Sequence, residues 1–67
     1  MPDAAREAVL EEAVGRAVAA FGQALRLSCL AARHPRRSAL ANDAVAAHVV
    51  ARAWAEEAVR RAGHAKS

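Results

Sequence analysis

Every seventh residue is small in both halves of this chain: Gly15, Gly22 and Cys29 in the first, Ala44, Ala51 and Ala58 in the second. One breaker lies between them, His34-Pro35-Arg36-Arg37-Ser38. A seven-residue repeat keeps side chains on one face of an α-helix. Folding the chain back at the breaker sets the two rows opposite each other, with Cys29 facing Ala44, Gly22 facing Ala51 and Gly15 facing Ala58. Small residues on both sides let helix axes approach to the short end of the usual range of about 8–10 Å. The pattern predicts an all-α antiparallel two-helix hairpin. Its expected seam is Gly15, Gly22, Cys29, Ala44, Ala51 and Ala58, with Trp54 beside the second row.

Punctuation along the chain sets the expected boundaries of a single domain, residues 1–67. Pro2 and Asp3 suit a helix start, because proline is tolerated in the first turn and an acid there complements the helix dipole. Helix 1 is expected over about residues 3–33, ended by the restriction that Pro35 places on His34. The turn takes residues 34–38. Ser38 is expected to cap helix 2, which runs over about 39–62 and stops at Gly63, leaving a frayed tail at 63–67. Asn42-Asp43 falls inside its first turns.

The apolar surface is larger than one helix contact needs. The chain has 67 residues and is 55% hydrophobic, and alanine supplies more than half of that fraction. Helix 1 carries a stripe of Leu10, Val14, Val18, Phe21, Leu25 and Cys29, and beside it an alanine-rich strip of Val9, Ala13, Ala20, Ala24, Leu27 and Ala31. Together they span about 200° of the helix, against the roughly 100° of a single contact face. Helix 2 has Val45, Val49 and Ala53 on the side opposite its seam. A domain of this size buries only about 60% of its unfolded surface. A second contact is therefore expected through Leu10, Val14, Phe21, Leu25, Val45 and Val49. The partner is either a twin hairpin, giving a homodimeric four-helix bundle, or a larger protein.

Little in the sequence points to chemistry. His34, His48 and His64 lack a second ligand at the three- or four-residue spacing that places two metal ligands on one helix face. The glycines lie inside helices and form no phosphate loop. Ser28, Ser38 and Ser67 have no visible His and acid partners. No cofactor, metal or catalytic residue is expected, and the chain reads as non-enzymatic. A lone Cys29 forms no internal disulfide. The most apolar run, 17–32, contains Gln23 and Arg26 and is shorter than the roughly 20 residues of a membrane span. Asp3 and Glu7 stand where a secretory signal needs a basic segment. A complete cytoplasmic chain, starting at Met1, is the expectation.

Charge is uneven. Residues 1–16 hold four acids and two arginines, whereas 17–42 hold Arg26, Arg33, Arg36 and Arg37 without an acid. The net charge is +3. The basic turn supplies the alternative reading, a small DNA-binding protein contacting phosphates through Arg33, Arg36, Arg37 and Ser38. Residues 30–43, LAARHPRRSALAND, resemble the end of the long helix, the second loop and the start of the last helix in archaeal-type histones. That resemblance implies backbone contacts to DNA from Arg36, Arg37 and Ser38. It covers only these residues: a separate first helix and loop have no counterpart here. With two aromatics, Phe21 and Trp54, both on apolar stripes, base stacking is not expected.

Overall fold

The computed structural model describes residues 3–66, and side chains as far as Gly63. It is an antiparallel hairpin of two long helices, α1 (Asp3–Arg33) and α2 (Ser38–Lys66). The expected contributions of Met1, Pro2 and Ser67 lie outside the described residues. Asp3 stands in the first turn of α1 and Arg33 in its last, the arrangement that opposes the helix dipole at both ends.

The connection is short and fully bonded. His34 N–H donates to the Leu30 carbonyl at 3.0 Å, closing α1. Arg37 N–H then donates to the His34 carbonyl at 3.0 Å, which makes 34–37 a β-turn with Pro35 and Arg36 at its centre. Proline in the first central position presets the backbone angle such a turn uses. Leu40 N–H takes the Arg37 carbonyl at 3.0 Å, so α2 starts immediately. The start comes one residue before the expected one. Ser38 is itself helical, and Arg37 supplies the first carbonyl, because the turn delivers Arg37 already aligned with the helix axis.

The other end of α2 also departs from expectation. The helix passes through Gly63 and continues to Lys66 instead of stopping at residue 62. A stop glycine takes a positive φ, and no described glycine does. Gly63 therefore costs only the roughly 1 kcal/mol of helix propensity that separates glycine from alanine.

The seam on α1 is not the expected one. The buried side chains of the described structure are all alanines: Ala13, Ala17 and Ala24 on α1, Ala44 and Ala51 on α2. They belong to heptad rows. On α1, Leu10, Ala17, Ala24 and Ala31 form one row (a) and Ala13, Ala20 and Leu27 the other (d), all buried or half-buried. On α2 the corresponding rows are Ala44, Ala51, Ala58 (a) and Leu40, Ala47, Trp54, Arg61 (d). Gly15, Gly22 and Cys29 occupy position f of α1, the face turned away from α2. A Cβ added at Gly15 or Gly22 meets nothing within 4 Å, and Cys29 is exposed. The alanine strip makes the contact, since alanine permits close packing while keeping the best helix propensity.

The hairpin is a rod of 52 × 15 × 11 Å with a radius of gyration of 15.3 Å, against about 11 Å for a compact chain of this length. Two long helices also differ from the three-helix order that the histone resemblance implies.

Candidate protein interface

In an antiparallel helix pair the e positions of both helices flank the seam on one broad side and the g positions on the other. Two cross-helix contacts fix which residues these are. Ser28 Oγ and His48 Nε2, both at e, lie 2.9 Å apart. Phe21, also at e, lines a shallow groove with Ala55, Arg52 and Val59. Ala20, Gln23, Ala47 and Val50 share a groove on the opposite side.

The e side is apolar. From α1 it presents Glu7, Glu11, Val14, Val18, Phe21, Leu25, Ser28 and Ala32 in positions e and b. From α2 it presents Val45, His48, Arg52, Ala55 and Val59. Val18 is 66% exposed, Leu25 62%, Val45 64% and Val59 72%, with Val14 and Phe21 a little over two-fifths exposed. Arg52 is the cation of this patch, and its Nε donates to Glu56 Oε1 at 3.0 Å on the next turn. The charges at its centre therefore already balance.

The g side is polar and paired. Arg16 lies over the Trp54 ring at 5.0 Å and bonds Glu12 at 3.2 Å. Arg61 approaches the same ring at 6.0 Å and donates to the Val9 carbonyl at 2.8 Å, joining the open ends of the hairpin. Hydrogen bonds from Arg60 and Arg61 hold the Glu57 carboxyl below the ordinary value of 4.5. The half-buried indole is thus capped by guanidinium groups, while no such cover protects Phe21.

Of the residues expected at an interface, Val14, Phe21, Leu25 and Val45 fall on the e side. Leu10 is half-buried in the seam. Val49 lies at position f of α2, on the far edge, and does not join them. Val18 and Val59 are the most exposed large residues of the e side and stand outside the expected set. The signal that finds them is the b position of the heptad once the a and d rows are known.

Arg33, Arg36, Arg37 and Ser38 are all exposed at the turn. None of the three arginines is paired with a described acid. The Ser28–His48 pair has no carboxylate bonded to the imidazole among the described residues, so nothing there orients the ring as a general base. No three His, Cys, Asp or Glu side chains converge among the described residues. No described helix is long and apolar enough to cross a membrane. Comparison with protein-family models, curated proteins and solved structures finds no match to this chain.

Proposed function

We propose that this protein is a non-enzymatic helical interaction module, an adaptor- or chaperone-like subunit or a self-assembling one, whose apolar e side completes a four-helix bundle. The observation that carries the reading is the all-alanine core: every large apolar side chain of the described structure retains solvent exposure. Burial stabilises by about 25 cal/mol per Å² of apolar area, and alanine contributes little of it. The hairpin's solvent-accessible surface of 5081 Å² is about 1,000 Å² more than folded monomers of this mass expose, by the usual size scaling. The free thiol of Cys29 is exposed, which suits a reducing compartment, and the proposed location is the cytoplasm.

The test is the behaviour of the isolated chain. At low micromolar concentration it is expected to bind an apolar-surface dye and to melt without a sharp transition. A monomer that melts sharply and binds no dye overturns the reading. The unpaired turn arginines support the DNA-binding alternative, which a second titration separates. Duplex DNA binding below micromolar at physiological salt, lost in Arg36→Ser/Arg37→Ser, would displace the interaction reading in its favour.

A further inference from the structure

We infer that the apolar e side is covered by a second copy of this chain, α1 against α1 and α2 against α2, with the two turns at opposite ends. The inference rests on the interaction-module reading and names the occupant.

Area is the first argument. The excess surface of about 1,000 Å² per chain is close to the roughly 800 Å² that each partner buries in a stable complex. One further hairpin of the same size supplies that cover.

Charge decides the orientation. The first half of α1 carries Asp3, Glu7, Glu11 and Glu12 against Arg6 and Arg16, and its second half carries only Arg26 and Arg33. On α2 the first half holds Asp43 alone, and the second half has an excess of cations over Glu56 and Glu57. Each helix is therefore acidic at its start and basic toward its end. On the e side itself the acids are Glu7 and Glu11, at the open end of α1, and stacking α1 antiparallel on its own copy sets them against the turn arginines of the second copy. The alternative, with both turns at one end, crowds two sets of Arg33, Arg36 and Arg37 together, a like-charge arrangement that costs affinity.

The stripe itself matches this stacking. From Glu7 it alternates between e and b through residue 32, acidic at one end, apolar in the middle, small and close to the turn arginines at the other. Reversed upon itself, it places Val14 of one copy beside Leu25 of the other and Val18 beside Phe21. Glu7 and Glu11 then approach the basic turn of the second copy. The two-fold axis crosses near residues 19–20, the middle of α1, so the rods overlap over their full length.

Sedimentation equilibrium of the full chain tests the occupant, and pulsed dipolar spectroscopy tests the orientation. The parent, a dye-binding monomer at low micromolar concentration, is expected to sediment as a dimer above tens of micromolar and to lose its dye binding as it assembles. Val18→Glu/Phe21→Glu is expected to weaken the dimer by at least about 100-fold, because it puts two carboxylates in the interface core. Val49→Glu, on the far edge, is expected to leave dimerisation unchanged. In a Cys29→Ser background, a spin label at Arg37→Cys is expected to give a distance near the 52 Å length of the rod. Turns at the same end would give only one to one and a half helix diameters, roughly 10–17 Å, and would overturn the proposed orientation. A dye-binding parent that stays monomeric to hundreds of micromolar overturns the second copy while leaving the interaction module, now with another protein as partner. A sharply melting monomer without dye binding overturns both.

Discussion

Two rows of small residues run the length of α1, seven residues apart in each, and they meet different surroundings. Ala17, Ala24 and Ala31 face α2. Gly15, Gly22 and Cys29 face away from it, with open space around both glycines. The difference teaches that a heptad repeat fixes a period but not a phase. Several rows on one helix can repeat equally well, and the one that packs is the one whose neighbours also pack. The alanine row has Ala13, Ala20 and Leu27 at the adjacent d positions. The glycine row lies between positions b and c, which include Glu11, Glu12 and Arg26.

The sharpest way to break this comparison is to place the same charge in both rows. Ala24→Glu puts a carboxylate at a position with no solvent exposure, at a cost of several kcal/mol. A hairpin this small has only about 3–5 kcal/mol to lose, so circular dichroism should show the helix signal largely gone. Gly22→Glu, two residues earlier, should keep or raise that signal. If both variants unfold, the outer row also packs against something. The next effect is stabilising: Gly15→Ala and Gly22→Ala should each add up to about 1 kcal/mol, read as a rise of several degrees in melting temperature. A fall would place a partner on the glycine face. Smaller still, Ser28→Ala removes the cross-helix bond to His48 and should cost about 0.5 kcal/mol in thermal melts. A larger cost at concentrations where the chain is assembled would show that the e side becomes buried.

The smallest effect compares the g side with the e side by pH. Glu57 has a lowered folded-state value, chiefly through the Arg60 bond and then through Arg61. Its contribution to stability is complete above the ordinary value of 4.5 and is lost as pH falls through the depressed folded value. Glu57→Gln should flatten the acid limb of a stability profile in that window and leave neutral pH almost unchanged.

Much of the hairpin is legible in the sequence. His34-Pro35 announces the turn because no helix continues easily into the residue before proline. The inner face of α2 is legible because Leu40, Ala44, Ala47, Ala51 and Trp54 form one compact stripe. The phase of α1 is not, since its apolar arc spans about 200°, twice a contact face, and a seam can lie anywhere within it. The contacts that settle the phase join residues distant in the chain, Ser28 to His48 and Arg61 to Val9. The exposure of Val14, Phe21 and Leu25 follows from their place beside the seam, whereas Val49 lies opposite the seam of α2, as its spacing from Val45 and Ala53 implies, and for that reason falls outside the e side. The end of α2 escapes the sequence because Gly63 serves as a helix interior as readily as a stop.

The bond from Arg61 to the Val9 carbonyl has a consequence for the order of folding. Every tertiary contact of a hairpin is nested around its turn, so loop-closure cost is lowest beside Pro35 and rises toward the open end. Closure should run outward from the turn, with Ser28 and His48 joining early and Arg61 last. Opening retraces that path, and Arg61 is the first cross-helix tie to release. Amide exchange should therefore be graded along the rod, slowest near Ala44 and fastest beyond Val9, and an Arg61→Met chain should lose protection at the open end while the turn half keeps its own.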